Sequence, residues 1–263
     1  MQGSANINIM IKAARKAGRS LVKDFREIEN LQASMKGAAD FVSRADLAAG
    51  KILREELTSA RGTYGYHAKG QEEIAGEDPT RRWIVDPLDG TANFQHALPH
   101  FAISIALEHK GKIIAAVVFD PAKDELFYAE KGAGAWLNDN KRMRVSARSR
   151  LHEALFATGV PSGAKHTLPA TLKDLAKLMP ATGGMRQWGC AALDLAYVAA
   201  GRIDGYWERE LQIGAIAAGS LLALEAGALV GGIREGQDPL ETGAILCGNS
   251  NLYDQFARII REV

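Results

Sequence analysis

Cysteine is almost missing from this chain. Cys190 and Cys247 are the two present in 263 residues, too few for a disulfide scaffold and in keeping with a reducing cytosol. An excess of charge of either sign is missing too: 32 Lys and Arg stand against 31 Asp and Glu, a formal net charge of +1. That balance gives no electrostatic case for direct nucleic-acid binding or for an anionic membrane surface. There is also no uninterrupted apolar run of spanning length. The most apolar stretch, residues 213–230, contains Glu225 and is rich in Gly and Ala, so it reads as a packed helix and not as a membrane span. The start lacks an apolar run followed by a cleavage site, so no signal peptide is expected, and the expected location is cytoplasmic. What is there is ordinary for a globular protein, with 47% hydrophobic and 24% charged residues. The length suits one large domain or two intimately packed ones. Glycine is plentiful at 27 residues, which implies many tight turns and close helix contacts.

The chemistry concentrates in residues 83–94. Trp83, Ile84 and Val85 read as a buried strand that delivers Asp86 at its end. Pro87 and Gly90 are turn formers, and Asp89 follows Asp86 by three positions, so a turn there directs both carboxylates at one spot. Two anions held together are costly unless a proton or a cation lies between them. The segment offers carboxylates, carbonyl oxygens and the Thr91 hydroxyl but no histidine or thiol, an oxygen set suited to Mg2+ or Mn2+ and not to Zn2+. The bland alternative is a solvated Asp-rich turn after a core strand.

The string D-P-L-D-G-T-A-N-F, residues 86–94, resembles the metal-binding signature of the inositol monophosphatase family, in its bacterial SuhB-like branch. The usual family form has a second Thr where Ala92 stands. The resemblance runs from residue 36 to the last helix. It implies an α/β protein, a layered α-β-α-β-α sandwich like the inositol monophosphatase and fructose-1,6-bisphosphatase fold. Residues 1–146 would carry most metal ligands and residues 147–263 would contribute substrate contacts. The implied cofactor is Mg2+, with Mn2+ as an alternative, held by Glu72, Asp86, Asp89 and the Leu88 carbonyl. Glu72 and Asp86 would hold the activating ion, while Asp46 and Thr91 would orient its water. Backbone amides at Gly90 and Thr91 would take phosphate oxygens, and Asp194 and Glu208 would accept hydrogen bonds from polyol hydroxyls. A homodimer is implied, and contact with the transcription machinery is known in such relatives.

Taken in order, residues 6–31 have apolar positions at helical spacing, and a second helix is expected over about 43–59, with Asp46 in its first turns. Asp46 is there as readily a helix-terminus residue as a catalytic one. Residues 64–76, punctuated by Gly65, Gly70 and Gly76, read as a loop carrying Glu72, and an isolated Glu-Glu pair is otherwise surface decoration. Strands are expected over 101–107 and 113–119 about a Lys110-Gly111 turn, then over 126–129 and after Gly134. Residues 132–139 resemble a further family motif, with Asp139 where a Gly is usual. Beyond a boundary near 146–151, strands are expected at 154–158, 185–188, 203–208, 228–230 and 245–247. Helices are expected at 169–178, from Cys190 to Gly201, and at 252–260 with Asn249 or Ser250 as cap. The helix starting at Cys190 has backbone amides suited to an anion, and Cys190 reads as a small residue at a tight turn and not as a nucleophile.

One departure from the family pattern bears on function. Ala217-Ala218-Gly219 and Glu225-Ala226-Gly227 fix the register of the family's W-D-x-A-A-G motif, which places Gly214 at the Trp and Ala215 at the Asp that would bind a second metal. A methyl group cannot ligate Mg2+. The expected activity is therefore Mg-dependent hydrolysis of inositol monophosphate or a related polyol or sugar phosphate, with reduced turnover. The alternatives are a nearly inactive homologue with a binding or regulatory role, a fructose-1,6-bisphosphatase, or an adenosine 3',5'-bisphosphatase.

Overall fold

The computed structural model of the chain describes residues 3–31, 38–138, 141–161 and 166–261. Two sheets organise it. The larger runs in sequence order through β1 (Tyr64–Ala68), β2 (Asp78–Asp89), β3 (Ala102–His109), β4 (Lys112–Asp120), β5 (Glu125–Glu130), β6 (Gly134–Leu137) and β7 (Lys141–Arg142). Every pairing in it is antiparallel except that of β1 with β2. Lys110 and Gly111 join β3 to β4 with φ of 52° and 73°, the left-handed pair that a tight two-residue hairpin needs. The smaller sheet contains β8 (Leu155–Thr158), β9 (Gly184–Arg186), β10 (Gly205–Glu208), β11 (Ala228–Gly232) and β12 (Ile245–Asn249), in the spatial order β11-β12-β10-β8-β9.

The helices are α1 (Ala5–Leu31), α2 (Ala38–Ala60), α3 (Thr91–Gln95), α4 (Leu168–Leu178), α5 (Ala191–Ala199), α6 (Ile213–Glu225), α7 (Pro239–Thr242) and α8 (Tyr253–Arg261). Helices α1 and α2 cover the outer face of the larger sheet, where Met10, Leu21, Leu53 and Leu57 are buried with Trp83, Val85 and Ile105. Each such side chain contributes about 1.5–3 kcal/mol of burial free energy. Helices α5 and α6 lie between the sheets, in a core shared by Ile84, Val118, Leu193, Ile216 and Cys247. Their close approach depends on Gly219, where an added Cβ would lie 2.5 Å from Leu195 Cβ. Helices α4 and α8 back the smaller sheet, with Phe256 packed on Phe156 and Trp207. The result is the α-β-α-β-α layering. Among the described residues no helix is long and apolar enough to cross a membrane.

Three local expectations are corrected. Part of the glycine-marked stretch 64–76 is not loop but strand β1, which pairs parallel with β2 and has Ala68 opposite Val85. Pro87 does not end β2: the strand continues to Asp89, and one extra residue between Asp86 and Asp89 forms a bulge opposite Ser104 to Ala102, a place where a residue without an N–H is tolerated. The turn follows at Gly90, with φ of 86°. Helix α2 already includes Ala38, so Asp46 lies well beyond its first turn and is not favoured by the terminal amides. Lys36, Gly37, Asp139 and the side chain of Asp40 lie outside the described residues.

Candidate active site

The site is built at the end of β2. The bulge brings Asp86, 1% exposed, and Asp89, 9% exposed, close enough that the charge of Asp89 bears on the ionisation of Asp86. Burial, then the charge of Asp89, pushes the Asp86 carboxyl up to about 7, against the pull of Lys69. Burial also raises Asp89, but hydrogen bonds oppose it: its Oδ2 accepts from the Ala192 N–H at 2.8 Å and from Cys190 Sγ at 3.3 Å. Asp89 therefore ties β2 to the start of α5. The Ala192 amide, expected from sequence to be open to an anion, is used by this internal carboxylate. The Gly90 N–H is likewise drawn to Asp89. Burial and the neighbouring Asp89 raise the Cys190 thiol well above its ordinary range, which keeps it protonated and non-nucleophilic.

Sequence reasoning missed Lys69. It is the residue after β1, and its N–H donates to the Val85 carbonyl at 3.2 Å, which extends the parallel ladder by one step toward Asp86. Its Nζ lies 3.6 Å from Asp86 Oδ2. Burial works against the ammonium charge, but Asp86, Asp89 and Asp46 together outweigh it and raise the Lys69 pKa. The signal available in sequence was register: with Tyr66, His67 and Ala68 opposite Trp83, Ile84 and Val85, the next residue stands beside Asp86.

The other expected site residues are distributed unevenly. Asp46 reaches the same spot from α2, half-buried, with its carboxyl raised by burial and lowered by Lys69. Thr91 is half-buried at the start of α3, and no hydrogen bond joins it to Asp46. Leu88 is fully buried in the bulge, where its N–H donates to Asp86 Oδ1 at 3.2 Å. Glu72 is exposed in the turn between β1 and β2, and the charges that bear most on Asp86 are Asp89, Lys69 and Asp46. On the far side, Asp194 from α5 and Glu208 from β10 extend the acidic cluster. Both Asp194 oxygens are buried without a hydrogen-bond partner. Burial and then Glu208 push its carboxyl well above the usual range. Burial lifts Glu208 to about 7, although Tyr206 donates its hydroxyl to it.

Ala215 lies in the first turn of α6, 5% exposed. Its neighbour Gly214 packs directly on the end of β2: an added Cβ would meet the Val85 carbonyl oxygen at 3.0 Å and Asp86 Cβ at 3.4 Å, and the Gly214 carbonyl accepts from Ser104 Oγ at 2.7 Å. The first turn of α6 thus faces Asp86, but it brings a methyl group and no carboxylate.

These donors do not fit a divalent ion. Mg2+ requires a near-octahedral oxygen shell. Here one Asp89 oxygen is committed to α5, one Asp86 oxygen accepts from Leu88, the other faces an ammonium group, and Glu72 is exposed. Among the described residues, no three of His, Cys, Asp and Glu form a metal-holding group.

Comparison with known proteins places this geometry in a family. The sequence model of the inositol monophosphatase family matches residues 4–263. An inositol-1-monophosphatase of Rhizobium meliloti is 52% identical over 263 residues, covering 100% of this chain and 97% of that protein. The Nus factor SuhB of Escherichia coli is 41% identical over 256 residues, with 97% and 96% covered. The native crystal structure of the extragenic suppressor protein suhB from Bartonella henselae superposes with a TM-score of 0.91 at 50% identity, over 98% of this chain and 99% of that one. The likeness supports a phosphomonoesterase-type function in general. With its five layers, its D-P-L-D-G-T turn and its match along nearly the whole length, the chain belongs to the inositol monophosphatase family.

Proposed function

We propose that this chain recognises a phosphorylated polyol or sugar, inositol monophosphate first among them, and hydrolyses it feebly, so that binding is its main activity. The observation that carries this reading is Asp194, whose two buried oxygens have no partner in the protein and lie in the electrostatic reach of Glu208 and Asp89. A buried acceptor without a donor is costly, and polyol hydroxyls supply donors. Glu208 adds a second acceptor, and the space it occupies requires Gly159, where a Cβ would fall 2.1 Å from its carboxylate. Protons held on Asp86, Glu208 and Asp194, together with the Lys69 charge, reduce the repulsion that a phosphate would otherwise meet. Slow hydrolysis follows from the incomplete donor set around Asp86 and from the methyl group at Ala215.

The test pairs binding with turnover. Inositol 1-phosphate should bind saturably by calorimetry, while phosphate release across an Mg2+ titration should fall about two to three orders of magnitude below that of the Rhizobium relative, as a loss of roughly 3–4 kcal/mol of transition-state stabilisation implies. Turnover equal to the relative's would overturn the weak-hydrolase reading, and absence of binding would overturn the substrate reading. Fructose 1,6-bisphosphate and adenosine 3',5'-bisphosphate belong in the same panel, and preference for either would reassign the substrate. A regulatory role is the second reading. It is favoured by the same incomplete site together with 41% identity to proteins named Nus factor SuhB. We further propose a homodimer in the cytoplasm, and sedimentation showing only monomer at micromolar concentration would overturn the dimer.

A further inference from the structure

We propose that Lys69 is the resident cation of this site, standing in for a divalent metal ion and closing the cluster of Asp46, Asp86 and Asp89 to one. The inference takes from the functional reading above only the location of the site. Three observations carry it. First, the backbone fixes Lys69 in place: its N–H is bonded to Val85, and the chain then turns away at Gly70, φ 69°, with the Gln71 N–H donating to Ala68 at 3.1 Å. The side chain is thereby launched along β2 toward Asp86. Second, the ammonium lies 3.6 Å from an Asp86 oxygen, with two-thirds of the side chain covered and the carboxylate 1% exposed. Third, among the described residues Lys69 is the cationic side chain that bears on each of Asp46, Asp86 and Asp89. A carboxylate cluster needs neutralising charge, and here the chain provides it by a covalent tether. An Mg2+ ion bound to the same Asp86 oxygen would stand within a few ångströms of that ammonium, at close range to a like charge, so the ion enters only if Lys69 leaves.

Metal alone, without substrate, tests this. The parent protein and the variants Lys69→Gln and Lys69→Glu are titrated with Mg2+ and with Mn2+, following thermal midpoint against a salt-matched NaCl series and Mn2+ binding by electron paramagnetic resonance. The parent should show no midpoint rise beyond the salt control and no bound Mn2+. Lys69→Gln removes the charge while keeping the length, and should gain a metal-dependent rise. Lys69→Glu adds an oxygen ligand and should bind Mn2+ at least about tenfold more tightly than Lys69→Gln. Lys69→Arg, which keeps a cation, should behave as the parent does. Stoichiometric metal binding by the parent, unchanged in Lys69→Gln, would overturn the inference even if one variant failed to fold. The outcome is separable from the substrate reading: a parent that binds Mg2+ and inositol 1-phosphate refutes only the resident cation, and one that binds neither refutes only the substrate.

Discussion

Two aspartates of this chain are equally buried and differ in almost every other respect. Asp204, 0% exposed, is fully employed: one oxygen accepts from the Leu155 N–H at 2.7 Å, and the other from the Ser146 hydroxyl, Asn249 Nδ2 at 3.4 Å and Arg148 Nη1 at 3.4 Å. It joins the segment after the larger sheet to strands β8 and β12 of the smaller one. Asp194, 1% exposed, accepts from nothing. A fold that satisfies one buried carboxylate four times over and leaves another empty separates groups that hold the structure from groups kept for a ligand. Lys69 and Asp86 fall between the two: they are paired with each other, while burial and the charge of Asp89 raise the Asp86 carboxyl to about 7.

The largest effect should come from breaking the satisfied member. Asp204→Ala would leave the Leu155 N–H, the Ser146 hydroxyl and the Asn249 amide without their common acceptor. It should cost about 3–5 kcal/mol in urea unfolding. A loss below about 1 kcal/mol would mean that solvent replaces the acceptor, and the contrast would lose one side.

Next comes Glu208, whose pH behaviour sharpens the contrast. Its carboxyl ionises near the ordinary 4.5 in the unfolded chain and at about 7 in the fold. The folded state therefore holds the proton more tightly, and Glu208 costs stability progressively as pH rises from about 4.5 to 7 and in full above that. Glu208→Gln keeps an acceptor for the Tyr206 hydroxyl and removes the charge. It should match the parent at pH 4 and be more stable by roughly 3 kcal/mol at pH 8. Parallel stability profiles for the two proteins would show that Glu208 is not held out of its ordinary range.

The same contrast explains what could be read without coordinates. Periodicity sufficed for α1, β3, β4, β10, α6 and α8, because each buries a continuous face or is buried all round, and packing then obeys pattern. The cap expected at Asn249 is a turn and not a helix cap: its Oδ1 accepts from the Asn251 and Leu252 amides at 3.1 and 3.0 Å, both of which precede α8. Strand β1 was not legible, since an edge strand of five residues containing Gly65 carries a weak pattern and owes its existence to its parallel partner. The pairing of Asp86 with Asp89 could be read from local spacing. Lys69 could not, because its role depends on the register of β1 against β2, a tertiary fact. Glu72 is acidic and resembles a family ligand, while the residue that the end of β1 sets beside Asp86 is Lys69, three positions earlier. Gly214 shows the same limit. The family motif has a Trp there, but in this chain the Val85 carbonyl oxygen lies 3.0 Å from where its Cβ would project.

The smallest and most discriminating prediction concerns Asp194 itself. Its carboxyl is raised above the ordinary 3.8 by burial and by Glu208, so between that value and its folded pKa the unfolded chain gives up a proton that the folded chain keeps. Its contribution to stability is thus lost as pH climbs past about 4, with the sign of Glu208 and opposite to that of a paired carboxylate. Asp194→Asn is nearly isosteric with the protonated acid and cannot ionise. At pH 4 it should leave stability unchanged, and at pH 7 it should raise stability by about 1 kcal/mol, the low end of the cost of an unsatisfied buried group. At the same pH it should weaken inositol 1-phosphate binding about tenfold, because the amide nitrogen cannot accept a hydrogen bond, whereas either oxygen of the acid can. A stabilised protein with weaker ligand binding is the mark of a residue kept for its ligand at the expense of the fold. Loss of both stability and binding would place Asp194 with Asp204 as a structural carboxylate, and unchanged binding would remove it from the site.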